Sequence, residues 1–253
     1  MNFSELREYD RLLSNIAPEL KSILPGLLKG TPLEKTGEVL SSLLAALESI
    51  KTGILDLSEA GNVYATNVLF RVFLEHKLKL FGIYLQSNKQ VTDEFAEQYL
   101  RLSEVEASQF MKAIAAAGLD IKCFNDSPLA PFFAKGRILT SQEREKLESP
   151  FKHKKLIELI STEIGQKQPG FLSKIIPNYC QLSGFVHGGP STSLILNAMP
   201  TEMAQADSLL NNARLVVGMF CSAKRWLLDM AAYIQPDLQS QLDEFNAAID
   251  QLG

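Results

Sequence analysis

The chain has 253 residues, 46% of them hydrophobic, and its 25 basic and 29 acidic residues leave a formal charge of −4. That length buries a sizeable core without help from a metal or a disulfide, and the acidic balance argues against a protein whose main affinity comes from neutralising phosphates over a broad surface. Cys123, Cys180 and Cys221 are odd in number, far apart and free of any C-x-x-C pair, so neither a disulfide framework nor a zinc cluster is suggested, and free thiols in a reducing cytoplasm are expected.

The N-terminal MNFSELREYDRLL carries a charge every few residues and no apolar run, unlike a secretory signal. TPLEKTGEVLSSLLAALESIKTGILDL begins with Thr31 as N-cap, Pro32 at the first helical position and Glu34 three residues after the cap, a capping box. Leu40, Leu43, Leu44, Leu47, Ile50, Ile54 and Leu57 then recur at three- and four-residue steps, the stripe of a long amphipathic helix. From about Asn62 to Gln86 the chain is apolar nearly all round, so it reads as a central helix enclosed by others, in which any charge needs a partner. Thr92 opens a third long helix that ends near Gly118.

The 119–140 stretch, with Pro128, Pro131 and an Asn-Asp-Ser turn signal, has no sustained period and reads as a long loop or hinge. Thr140 and Glu143 form a second capping box, and a basic helix, FKHKKLIELISTEI, follows Pro150. His153 within it reads as a solvated surface residue. A helix from about Pro177 stops at Gly188-Gly189-Pro190. A long helix over about 201–233 and a short one after Pro236 complete the chain. Charges such as Arg71, Glu75, Lys77, Lys224 and Arg225 interrupt every apolar segment, so no membrane span is expected. There is no hairpin pattern and no internal repeat. The expectation is an all-α protein, an irregular helical bundle with long central helices, as one domain over 1–253 with a hinge or loop at 119–140.

Two helices carry the candidate chemistry. Arg71 and Glu75, four apart, share one face of the central helix among Phe70, Val72, Phe73 and Leu74. An ion pair so placed loses hydration and is tolerable only if another helix satisfies it; left alone by loss of Arg71, a buried Glu75 would cost about 3–5 kcal/mol. Tyr179, Ser183 and His187 fall at four-residue steps on the later helix and offer a phenol, a hydroxyl and an imidazole at successive turns. These residues form either a hydrogen-bonded network that fixes helix register or an active site. In the second case His187, at the helix end where the backbone dipole favours imidazolium, acts as acid or base. Arg71 then holds a phosphate, and Gly188 lets a ligand approach the backbone. No metal-ligand spacing surrounds the histidines and no Gly-rich phosphate loop is present, so neither a metal nor another cofactor is expected.

Arg71 and His76 form R-V-F-L-E-H, which resembles the Arg-x(4 to 6)-His motif of HEPN helical domains. That resemblance implies a metal-independent ribonuclease or toxin whose RNA-cutting site is shared between two protomers, hence a homodimer. It also makes His76 a catalytic candidate beside Arg71, Glu75 and His187. R-x-x-x-E on an apolar helix, followed about a hundred residues later by Y-x-x-x-S-x-x-x-H-G, is similar to a widespread family of uncharacterised bacterial all-helical domains. The similarity spans roughly 62–189 and implies convergence of Arg71, Glu75, Tyr179, Ser183, His187 and Gly188. Three functions follow as expectations. One is a HEPN-like ribonuclease or toxin-like effector in a bacterial defence system. Another is a module that binds an anionic small molecule at the same residues. The third is a scaffold whose polar cluster is structural and whose protein partner meets the 119–140 segment at Phe132 and Phe133.

Overall fold

A computed structural model describes residues 2–16, 20–119, 137–164, 169–187, 192–193, 197 and 201–250 of the chain. These residues are all-α, with no strand among them. In chain order the helices are α1 (Phe3–Ile16), α2 (Leu20–Leu28), α3 (Glu34–Glu59), α4 (Val63–Gln90), α5 (Glu94–Leu100) and α6 (Leu102–Ala116). They continue as α7 (Ser141–Glu148), α8 (His153–Ile164), α9 (Pro169–His187), α10 (Glu202–Ile234) and α11 (Gln239–Asp250). No helix among the described residues is long and apolar enough to cross a membrane.

The α3–α4 hairpin is the frame. After α3 the backbone turns through Gly61 at φ 72°, and the Asn62 amide reaches back to the Leu57 carbonyl at 2.9 Å, a Schellman closure that favours glycine at its left-handed position. Asn62 at once caps α4, its Oδ1 accepting from the Ala65 amide at 3.0 Å. Three residues thus stop one long helix and start the next. Phe70, Phe73, Leu74, Leu78, Leu80 and Ile83 of α4 are all essentially inaccessible, as expected of a helix apolar all round, and α3, α8, α9 and α10 surround it. Phe81 stacks on Trp226 of α10 with ring centroids 3.7 Å apart, and one continuous core runs from Leu6 of α1 to Phe245 of α11.

Contacts along α4 fix the direction of its neighbours. Gly82 lies where an added Cβ would meet the Leu156 side chain at 2.7 Å, and Lys89 pairs with Glu163 at 2.7 Å, so α8 runs parallel to α4. Glu75, Arg71 and Tyr64 of α4 meet Tyr179, Ser183 and Phe185 of α9 in that order, so α9 runs antiparallel.

Several local expectations need correction. The Thr31 box does not cap α3: Thr31 Oγ1 accepts from the Leu33 amide, and Glu34 reaches the Gly30 amide. The first-turn amides of Lys35 and Thr36 donate instead to Asp93, at 2.8 and 2.7 Å. Asp93, rather than Thr92, is the residue before α5, and its carboxylate serves α3 instead of its own helix. The third long helix is two, α5 and α6, broken at Arg101. The Tyr179 helix begins at Pro169, not Pro177; Pro177 lies inside it, exposed, so the hydrogen bond that its missing amide forfeits is on the water side. Thr140 with Glu143, and Thr201, cap as read. α1 and α2 are additional helices. Phe132, Phe133 and nearly all of the 119–140 segment lie outside the described residues.

Candidate functional site

Arg71 sits on the face of α4 turned to α9. Its guanidinium carbon lies over the Tyr179 ring, 3.3 Å from the centroid, and Nε donates to Ser183 Oγ at 3.2 Å. Ser183 in turn donates to the Tyr179 carbonyl one turn back, at 2.9 Å, so the hydroxyl is used both as donor and as acceptor. Arg71 Nη1 approaches Glu75 Oε1 at 2.7 Å, and the Tyr179 hydroxyl donates to the same oxygen at 3.4 Å. The four-residue steps on α4 and α9 produce this match: antiparallel helices with the same rise bring Glu75 opposite Tyr179 and Arg71 opposite Ser183.

The pair is not evenly buried. The Arg71 side chain is 9% exposed and that of Glu75 is 42%, so the carboxylate keeps much of its water, contrary to the expectation of a pair wholly enclosed in apolar surroundings. Glu75 projects from the rim of the α4–α9 seam rather than into it. Nη1 of Arg71 is sealed from solvent, and its close approach to Glu75 lacks hydrogen-bond alignment, so that nitrogen remains without an acceptor. The Tyr179 hydroxyl is held protonated: burial pushes it up to about 12, against the opposing pull of the Arg71 charge.

His153, the first residue of α8, belongs to this cluster although its sequence context made it a surface residue. It is exposed, yet its ring stacks on Tyr179 with centroids 4.7 Å apart. Tyr179 therefore contacts both a guanidinium, at 3.3 Å, and an imidazole, at 4.7 Å. Sequence spacing could not find this contact, because it joins helices α8 and α9 through tertiary packing.

His76 stays apart. Its Nδ1 donates to the Val72 carbonyl of its own helix at 2.9 Å, which in the neutral ring leaves Nε2 as the basic nitrogen. Among the described residues it makes no bond to Arg71, Tyr179 or Ser183. His187 is the last residue of α9, one turn beyond Ser183; its side chain, and Gly188 with the residues after it, lie outside the described residues.

A second polar centre, which sequence reading missed, lies inside the bundle. Lys77 of α4 is fully buried, and its Nζ donates to the Met219 carbonyl and to Ser222 Oγ on α10. Lys51 of α3, 2% exposed, holds the Asp10 carboxylate of α1, and Lys224 donates to the Leu13 carbonyl at 3.4 Å. Burial drives Lys77 well below and Lys224 below the ordinary lysine range, and it pushes the neighbouring Cys221 thiol up to about 12. The cue was Lys77 itself, an ammonium within the run that sequence made a central helix. Among the described residues, no group of three or more His, Cys, Asp or Glu converges closely enough to hold a metal ion. No protein-family model, curated protein or solved structure matches the chain.

Proposed function

We propose that the protein is a HEPN-like, metal-independent ribonuclease acting as a toxin-like effector, with its phosphodiester held at Arg71. The observation that supports this reading is the placement of the Arg71 guanidinium. Ser183 and Tyr179, on the helix that ends at His187, hold it in position, with Nη1 ion-paired to the exposed Glu75 carboxylate but without an aligned hydrogen bond. A phosphate oxygen reaches the guanidinium from the rim, where Glu75 is exposed, by displacing that carboxylate from it. In the reaction a base takes the proton of the ribose 2′-hydroxyl, whose oxygen attacks the adjacent phosphorus. The phosphorus–O5′ bond breaks and an acid returns a proton to the departing oxygen. Arg71 stabilises the charge on the non-bridging oxygens. His187 is the acid–base group assigned by position on α9, with His76, its Nε2 uncommitted, as the alternative.

The test is His187→Gln, which roughly keeps size but cannot exchange a proton near neutral pH. It should leave the melting temperature within a few degrees and lower RNA cleavage, measured with a chelator present, by about a hundredfold or more. An unmutated protein that neither cleaves RNA nor arrests growth when overproduced overturns the reading.

A second reading has its own support in the 7% exposure of Arg71. A guanidinium engaged by a hydroxyl, a ring and a carboxylate serves equally to lock the register of α4 against α9, in a scaffold that binds a protein partner. A His187→Gln protein that melts much earlier and loses activity only in proportion to its folded fraction favours that reading.

A further inference from the structure

Two turns along α4 from Arg71, α4, α6, the end of α7 and the 149–152 segment before α8 line an open cleft of about 410 Å³. That volume lies within the range of small-ligand pockets. Leu102, Val105, Glu106 and Gln109 follow one another at steps of three, one and three residues, so a single face of α6 lines the cleft. Leu102 and Val105 with Phe151 make an apolar floor, and Phe151 is itself fixed between the rings of Phe95 and Tyr99, at 4.8 and 5.5 Å. Two of the charged groups at the edge are already engaged, Glu148 with Arg144 and Lys152 with Glu145. Lys79, Glu106 and Gln109 make no hydrogen bond or ion pair among the described residues. An apolar floor ringed by a cation, a carboxylate and an amide that have no partner among the described residues is a set of contacts that a ligand can fill.

We infer that this cleft binds a guanine nucleotide. Glu106 is acceptor-only, with two oxygens, and guanine is the nucleobase that presents two adjacent N–H donors, N1–H and the N2 amino group, to such a fork. Gln109, one turn further along α6, donates to O6, the base lies on the apolar floor, and Lys79 takes the phosphate as a point charge. The cleft also has a fixed position relative to Arg71. Lys79 lies two turns beyond Arg71 on the same helix, about 12 Å along its axis. Lys152, which lines the cleft, directly precedes His153, which stacks on Tyr179. The cleft and Arg71 therefore lie along the same stretch of α4, and one RNA strand can reach both. This placement rests on the ribonuclease reading of Arg71, whereas the guanine contacts do not.

The experiment titrates guanosine, inosine and adenosine 5′-monophosphates into the full chain by calorimetry. It then repeats the titration with Lys79→Gln and Glu106→Gln, whose positions lie outside the core. Guanosine monophosphate should bind the parent at least about tenfold more tightly than the inosine form, which lacks the N2 amino group. Glu106→Gln should remove that preference, and Lys79→Gln should weaken all three nucleotides by about tenfold. Equal affinity of the parent for all three, or guanosine binding untouched by both variants, overturns the assignment. Single-stranded oligouridine with and without one guanosine, titrated into His187→Gln, tells a free nucleotide from one within RNA. Tighter binding of the guanosine-containing strand places the recognised guanine in RNA; equal binding of the strands beside selective binding of the mononucleotide makes the free nucleotide the ligand. Guanosine binding without any RNA cleavage by the parent retains the cleft and removes the ribonuclease reading. Cleavage without guanosine binding does the reverse.

Discussion

Two of the cations of helix α4, Arg71 and Lys77, lie six residues apart and have opposite surroundings. Lys77 is sealed against α10 and bonded to a backbone carbonyl and a hydroxyl, in a centre where burial shifts it toward the neutral amine. Arg71 lies at the α9 seam, held by a ring and a hydroxyl, and Nη1 pairs with an exposed carboxylate without an aligned hydrogen bond. The first arrangement lets one helix dock on another at the cost of a hidden ammonium. The second keeps the guanidinium buried, but its partner carboxylate, Glu75, stays in contact with water at the rim of the seam. A buried cation is therefore a poor guide to function until its neighbours are known.

Thiol labelling gives the largest contrast between the two regions. Cys180, exposed on α9 next to Tyr179, should react with iodoacetamide at pH 8 more than about a hundredfold faster than Cys221 beside Lys77, as read by peptide mass mapping of the native protein. Equal rates would mean that the inner centre opens readily.

Lys77→Ala should cost about 2–5 kcal/mol in chemical denaturation, the range for truncating a long buried side chain. Lys77→Met should recover most of that loss. It should also change the pH dependence in a defined direction. The unfolded chain holds the lysine proton to about pH 10, whereas the folded state releases it at lower pH. Over that interval the unfolded state binds more protons, so the parent gains stability as pH rises, and Lys77→Met should lack this part of the gain.

A smaller loss, about 1–3 kcal/mol, is expected for Arg71→Ala, from the stack on Tyr179 and the bond to Ser183. The 3–5 kcal/mol of a stranded buried charge does not apply, because Glu75 is 42% exposed. A loss above that of Lys77→Ala, in the same denaturation experiment, would invert the comparison.

What the sequence made legible was whatever is periodic or local. Arg71 with Glu75, and Tyr179 with Ser183, are four-residue spacings on two helices, and antiparallel packing is enough to make them meet. The Thr140 and Thr201 caps lie within three residues of the amides they serve. His153 on Tyr179, Lys77 on α10 and Asp93 on α3 each join segments by tertiary packing, and no spacing within one helix encodes such a contact. The Arg101 break and the early start of α9 were missed because local propensity sets helix ends only weakly.

The carboxylate of Asp93 carries a consequence for the order of assembly. The amides of Thr36 and Lys35 find their acceptor only after the chain has travelled the whole of α3 and the whole of α4 and returned, 57 and 58 residues later. A nascent α3 therefore frays at its first turn, and its two ends mature by separate routes: the Gly61 end closes within the hairpin turn, while the Glu34 end waits for α4 to be laid down along it. Asp93 acts as a latch on the completed hairpin, and the slowest-exchanging state of the Thr36 amide is a report that two helices, rather than one, have formed.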